Sequence, residues 1–353
     1  MGKNSLKVGV VGCGEIAKNV HIPIFKSLKD VEVVAVCDKN KSLVFETSKI
    51  FNIPKAYTDI DKMLQDESLD LVSICTPPQT HFNLSIRAMS FGVHVLVEKP
   101  MALTLKEAEK MVTVSRKNKV KLCIAHNFLF NPVIQKSKKI VEKGIIGKII
   151  NVEVNIFSKI SGKLANPNHW CHHLPGGIIG EYGPHAVYVA QTFLGKIHEI
   201  HAVKLKSTVF PFVLADGIKV LLKGDKSIGS FSVLCNSSKY SFEVDIFGEK
   251  GTFHLDIYPF PRIFKVGKEN LYPLLTIKED LFKIIQTIAS FPKVLLTKPV
   301  SQIYKTHKIL IQMFVESIRK NGNPPITGEE GKETVRILEE SLKQVGLLNF
   351  SDK

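Results

Sequence analysis

Paired cysteines are missing from this chain. None of its six cysteines forms a C-x-x-C pair. Cys37, Cys75 and Cys123 lie in or at the ends of apolar runs, and Cys13 lies in a Gly-rich turn, as expected of reduced thiols buried as small hydrophobes. Arginine is scarce: among 48 basic residues only Arg87, Arg116, Arg262, Arg319 and Arg336 carry a guanidinium. The net charge of +15 is therefore mostly lysine, spread along the chain without a basic block interleaved with aromatics. That distribution argues against a nucleic-acid partner, although a positive field still attracts anionic small molecules such as dinucleotides and nucleotide sugars. No apolar run reaches the roughly eighteen residues a membrane span needs. The opening MGKNSLKVGVVG enters a strand-like run at once, without the apolar region of a signal peptide, and Gly2 is not followed by the Ser or Thr of a myristoylation site. These absences predict a cytoplasmic protein. Its 353 residues, 44% hydrophobic and 23% charged, suit two globular domains.

The first apolar run breaks into Gly12-Cys13-Gly14-Glu15-Ile16-Ala17, a G-x-G-x-x-A pattern between a strand and a helical segment. The first glycine permits the tight turn, the second lets backbone approach a pyrophosphate, and the small third residue allows helix to pack on strand. Amides at the helix start then face the phosphates. A second strand, 31–37, ends at Asp38, where a carboxylate either accepts the ribose hydroxyls of NAD or serves a turn. Lys39 and Lys41 follow closely and keep NADP open as the cofactor. Apolar runs at 69–75, 92–97 and 120–125 alternate with helical segments around 59–66, 79–90 and 104–118. Alternation of this kind implies a doubly wound parallel sheet with ligands beyond its carboxyl edge. Two segments fall at that edge: Thr76-Pro77-Pro78-Gln79-Thr80-His81 and Glu98-Lys99-Pro100.

In this order, GxGxxA, the strand ending in Asp38, TPPQTH and GVHVLVEKPMALT closely resemble the Gfo/Idh/MocA oxidoreductases, in register through the first 125 residues. The resemblance implies an NAD(P)-dependent enzyme acting on sugars, cyclitols or their derivatives. It implies a cofactor site drawn from Gly12, Cys13, Gly14, Glu15, Ile16, Asp38, Thr76, Pro77, His81, Glu98 and Lys99. Lys99 then lies beside the nicotinamide and the substrate hydroxyl, on a turn fixed by Pro100 whose preceding peptide is often cis in the family. Independently of the family, an ammonium there stabilises negative charge developing on the substrate oxygen. His81 either contacts ribose or substrate, or packs at a helix start.

Past residue 125 a second, α+β domain is expected over 126–353, its C-terminal helix packing back on the first domain. A helix at 131–144 precedes strand-like runs at 145–158, 198–210, 217–224, 228–235, 240–248 and 251–258, with tight turns that imply a large, mainly antiparallel open sheet. The family commonly uses one face of this sheet as a subunit interface, so a homodimer or homotetramer is expected. Residues 277–320 read as two amphipathic helices broken at Pro292 and Pro299, and Thr327 as the N-cap of a closing helix.

The stretch NHWCHHLPGGIIGEYGPH, 168–185, concentrates four histidines. Adjacent His172 and His173 point apart in extended chain and one cysteine is too few for a structural zinc site, so no metal is expected. Gly176 to His185 resembles the family's GG-x-x-x-D-x-G-x-H, which implies that His185 is the general acid/base; imidazole suits that work. Glu181, four residues earlier, shares a helix face and orients the ring or holds a second substrate oxygen. The sequence departs from the family in having Glu181 for Asp, and Tyr188 where an Asp often follows. Trp170, with His169 and His172, offers a ring and hydrogen-bonding groups to a sugar face. The reading is a dehydrogenase for a secondary alcohol of a sugar, cyclitol or nucleotide sugar. The alternative is a catalytically silent, dinucleotide-binding regulatory or interaction protein.

Overall fold

The structure, a computed structural model, describes residues 5–206, 210–259, 261–266 and 299–348. The chain divides into two compact units, Met1–Asn127 with Ile303–Arg336, and Phe128–Gln302 with Ile337–Lys353.

The first unit is built on β1 (Leu6–Val11), β2 (Val31–Cys37), β3 (Lys55–Tyr57), β4 (Leu71–Ile74), β5 (His94–Val97) and β6 (Leu122–Ile124), all parallel, in the order β3-β2-β1-β4-β5-β6. Strands covered on both faces read as unbroken apolar runs, and β4 is buried at every position. Between them lie α1 (Ile22–Ser27), α2 (Lys41–Phe51), α3 (Ile60–Asp66), α4 (His81–Ser90) and α5 (Leu105–Lys117). Each start has a local cause. Asn40, Asp59 and Thr104 accept amides of the first turns of α2, α3 and α5, and Glu107 reaches back to the Leu103 amide. The order reverses between β1 and β4, the place where such sheets open a ligand crevice at their carboxyl edge.

Before α1 the chain runs through a π-helical segment, Ala17–His21, closed by Ile22 N–H donating to the Ala17 carbonyl. Pro23 accounts for it: the proline has no amide to offer Asn19, and widening the turn relieves the clash of its ring with that carbonyl. After the second unit's chain, α8 (Pro299–Arg319) and the start of α9 (Gly328–Gln344) complete the first unit. Thr327 caps α9 reciprocally with Glu330: the Glu330 amide donates to Thr327 Oγ1, and the Thr327 amide to Glu330 Oε2. Of the two helices expected over 277–320, residues 277–298 lie outside the described residues, and the second begins at Pro299.

The second unit holds a seven-stranded sheet in the order β13-β12-β11-β7-β10-β9-β8, from β7 (Ile149–Lys159), β8 (Ile197–Leu205), β9 (Gly217–Gly224), β10 (Ile228–Leu234), β11 (Asn236–Gly248), β12 (Gly251–Tyr258) and β13 (Arg262–Val266). Every pairing is antiparallel except β10 with β7. α6 (Pro132–Glu142) starts on the Asn131 cap and packs near β12, and α7 (Ile178–Leu194) lies on β7 and β10. Val152, Val154 and Ile156 of β7 face the helices and are buried, while Asn151, Glu153 and Asn155 alternate to the open face.

That open face carries an ion cluster. His254 Nδ1 lies 2.7 Å from Asp245, its Nε2 lies 3.3 Å from Asp256, and Arg262 holds Asp256 at 2.8 Å. The hydrogen bonds to Asp245 and Asp256 raise His254 from its ordinary 6.5 to about 10. A folded-state value above the unfolded one gives stability that is complete below about pH 6.5 and lost as pH rises to about 10. The His254 side chain is 30% exposed, so solvent screening trims the effect to on the order of 1–2 kcal/mol. Denaturant melts at pH 7 and pH 10 should show that loss, and His254→Gln should flatten the difference.

Candidate active site

In the first unit the site is built by the carboxyl ends of β1, β2, β4 and β5. Gly12 sits at φ +93, and a Cβ there would come within 2.8 Å of the Cys75 carbonyl carbon and oxygen. Only glycine fits that turn. A Cβ on Gly14 would meet nothing within 4 Å, so the backbone at the second glycine is open to an approaching phosphate, and the turn fits an NAD dinucleotide. The buried Cys13 donates its amide to Asp38 Oδ2 at 2.8 Å, and the Asn40 amide donates to Oδ1 at 2.9 Å. Asp38 is thus anchored at the end of β2 by the Gly-rich turn itself, while Asn40 takes the N-cap. Glu15 is exposed and Ile16 half-buried in the first helical turn, with Ala17 fully buried as the small residue of the pattern.

After β4, Thr76 is half-buried and Pro77 exposed, and Thr80 Oγ1 donates to Thr76 Oγ1 at 2.8 Å. His81 is fully buried. Its Nδ1 lies 2.8 Å from the Pro100 carbonyl and its Nε2 2.8 Å from the Thr76 carbonyl. Both ring nitrogens face backbone carbonyls, and the ring clamps the TPP loop to the turn after β5, which favours the packing reading of His81 over contact with ribose or substrate. That turn contains the cis Lys99–Pro100 peptide.

Glu98 directly follows β5. Its carboxylate points into the unit: Oε1 lies 2.9 Å from His21 Nε2 and 3.2 Å from His307 Nε2, and Oε2 accepts the Lys99 amide at 3.3 Å. Burial opposes its charge, but the close contacts with the His21 and His307 rings outweigh that and hold it well below the usual carboxylate range. Burial pushes the His21 imidazole down. Lys99 itself is half-buried at the end of β5. Sequence reasoning singled out neither His21 nor His307, because nothing local marks a partner 77 or 209 residues from Glu98.

In the second unit α7 carries Glu181 in its first turn and His185 one turn later, both half-buried. The glycines around them have packing causes: a Cβ on Gly176 would meet Leu342 at 2.6 Å, and one on Gly183 would meet Leu338 at 2.7 Å. His185 Nδ1 lies 2.6 Å from the Tyr188 hydroxyl, and its ring meets Phe128 edge-on at 4.9 Å. Tyr188, read from sequence only as a missing aspartate, therefore supplies the group beside the imidazole. His169 caps a short 3-10 turn, Trp170–His173, by accepting the Cys171 amide, and stacks at a tilt on Trp170. His172 Nε2 donates to the Leu164 carbonyl at 2.9 Å. These contacts shape the loop from within. Cys171 is fully buried, which removes it as a nucleophile.

Two family matches cover most of the chain: residues 6–126 match the oxidoreductase family with an NAD-binding Rossmann fold, and residues 134–254 match the GFO/IDH/MocA C-terminal domain. Among similar proteins are a myo-inositol 2-dehydrogenase of Thermotoga maritima, 27% identical over 71% of this chain and 75% of its own, and a D-apiose dehydrogenase of Paraburkholderia graminis, 27% identical over 70% and 67%. The WlbA dehydrogenase of Bordetella pertussis, solved with NADH and UDP-GlcNAcA, shares the fold at a TM-score of 0.80 and 21% identity over 97% of both chains. With the Gly-rich turn, the 3-2-1-4-5-6 sheet and the mainly antiparallel second sheet in place, the chain belongs to the Gfo/Idh/MocA family of NAD-dependent oxidoreductases acting on CH–OH groups.

Proposed function

We propose that this oxidoreductase interconverts a secondary alcohol and ketone on a sugar, cyclitol or nucleotide sugar. The carrying observation is the carboxyl edge of the parallel sheet, where a turn open at Gly14, the anchored Asp38 and the Lys99–Pro100 turn all fall at strand ends. NAD, when bound, supplies the hydride acceptor or donor. Gly12, Cys13, Gly14, Glu15 and Ile16 would hold the pyrophosphate with backbone, Asp38 would take the ribose hydroxyls, and Thr76 and Pro77 would complete the cofactor site. A carboxylate at Asp38 favours NAD over NADP by repelling a 2′-phosphate. His81 and Glu98 act by positioning.

Lys99 stabilises negative charge on the substrate oxygen. His185 exchanges the hydroxyl proton; Nδ1 is committed to Tyr188, which assigns the exchange to Nε2. Glu181 orients the substrate or the ring, and Trp170, His169 and His172 form the sugar-recognition loop. Two similar proteins, the myo-inositol 2-dehydrogenase and the WlbA dehydrogenase solved with UDP-GlcNAcA, support this class.

The open face of the second sheet is assigned to self-association as a homodimer or homotetramer. Val203, Leu205, Leu221 and Ile228 are exposed together at its β8–β10 end, an apolar patch that self-association would cover. Six free thiols fit the reducing cytoplasm.

A panel of inositols, aldoses, glycosides and uridine-linked sugars, assayed with NAD by nicotinamide absorbance, tests the reading. At least one member should turn over. NAD binding with no turnover across the panel would favour the silent, regulatory alternative, for which the Glu181 departure is the one argument.

A further inference from the structure

The His21–Glu98–His307 cluster lies wholly within the first unit and meets the proposed chemistry only at the Lys99 backbone, whose amide donates to Glu98 Oε2. His21 comes from the π-helical segment, Glu98 from the end of β5 and His307 from α8, at 0%, 9% and 3% exposure. The two Nε2 atoms and one carboxylate oxygen lie within 4.8 Å of one another.

The outer nitrogens decide what the inner ones can be. His307 Nδ1 lies 2.8 Å from the Ile303 carbonyl and must carry its proton there. A neutral ring then turns a lone pair toward Glu98 Oε1 at 3.2 Å, an oxygen already facing His21 Nε2 at 2.9 Å. That arrangement needs a positive centre among the three atoms. His21 is prepared in the same sense, since its Nδ1 lies 2.8 Å from Ser73 Oγ and can donate to it. His81 is also flanked by acceptors, but they are two neutral backbone carbonyls rather than a carboxylate.

We propose that His21 Nε2, His307 Nε2 and the Glu98 carboxylate bind one divalent transition-metal ion, with zinc as the best match. Two imidazoles and a carboxylate suit a first-row ion of intermediate softness. Ligating imidazoles characteristically donate their other N–H to a carbonyl or hydroxyl, as Ile303 O and Ser73 Oγ here stand ready to accept. The ion ties three segments of the first unit together behind the Lys99 turn, and its role is structural because the site is closed to solvent. The proposal stands apart from the substrate assignment.

The test strips the full chain with a chelator, dialyses it, and titrates it with zinc alone by calorimetry, then with cobalt(II) by visible absorption. One equivalent should bind with a Kd in the nanomolar range or below, roughly as structural zinc sites do, and raise the melting temperature. Cobalt should give an intense ligand-field band. His307→Gln should weaken binding by at least about a hundredfold, and Ser73→Ala by about ten- to a hundredfold, while Ser73→Ala leaves the ligands in place. Three results overturn the proposal: no stoichiometric uptake by the unmutated chain, meaning that a proton alone bridges the cluster; uptake that survives Glu98→Gln and His307→Gln together; or uptake abolished by His172→Ala with His173→Ala, which puts the ion on the other loop. Because the first of these is read on the unmutated protein, misfolding of a variant does not shield the proposal.

Discussion

Lys99→Ala should lower kcat by about 10²–10³-fold while changing NAD affinity by no more than a few fold. The magnitude is that of deleting one pre-placed donor to a developing oxyanion. The change is confined to the reaction because what shapes the turn is independent of the ammonium. The Lys99 amide donates to Glu98, Pro100 keeps its carbonyl on His81, and neither contact uses the Lys99 side chain. Lys99→Arg should rescue poorly, since a planar guanidinium presents its charge on a different geometry from a compact ammonium. Steady-state kinetics with an identified substrate, alongside NADH fluorescence titration, separates the two effects. Full turnover in Lys99→Ala would remove Lys99 from the chemistry, and loss of NAD binding would move it to the cofactor site.

Gly180→Ala should destabilise the second unit by about 3 kcal/mol or more, where a general rule predicts the opposite. Alanine is the better helix former by about 1 kcal/mol in a helix interior. At this position, however, the added Cβ would sit 2.1 Å from the Pro175 carbonyl oxygen and 3.3 Å from Leu174 Cβ. The clashing atom is backbone and cannot swing aside, so overpacking exceeds the propensity gain. For a unit of this size the shift is on the order of 10 °C in melting temperature. Gly14→Ala is the matching control: its Cβ meets nothing within 4 Å, so the melting temperature should hold while NAD affinity falls. Differential scanning calorimetry of the two variants checks both signs.

The Rossmann half was largely legible because buried parallel strands write themselves as apolar runs between turn residues. β3 was not, since Lys55-Ala56-Tyr57 is three residues long, at the sheet's edge and only partly buried. β7 begins at Ile149 rather than 145, because Gly144 and Gly147 adopt positive φ and delay the strand. β8 ends at Leu205, short of the expected 210, with residues 207–209 outside the described ones. At the site, Gly12, Gly14 and Asp38 were readable because their roles are local. The inward turn of His81 and Glu98 was not readable, because a motif says where a residue falls in the chain but not which way its side chain turns. Tyr188 stood in view as an anomaly, and only its 2.6 Å approach to His185 gives it a role.

The first unit is discontinuous, closed by Ile303–Arg336, which follow the second unit's strands in the chain. During synthesis all six strands of the first unit's sheet are therefore made before its final helices. Arg319, which hydrogen-bonds to the Lys29 and Asp30 carbonyls, and Gly331, packed on Ile124 and Met101, are translated only after every strand of the second unit's sheet. Domains usually mature in the order in which they leave the ribosome. Here the second unit's sheet is fully translated before the first unit can be sealed. The nucleotide-binding unit thus lacks its closing helices until residues 303–336 have been made.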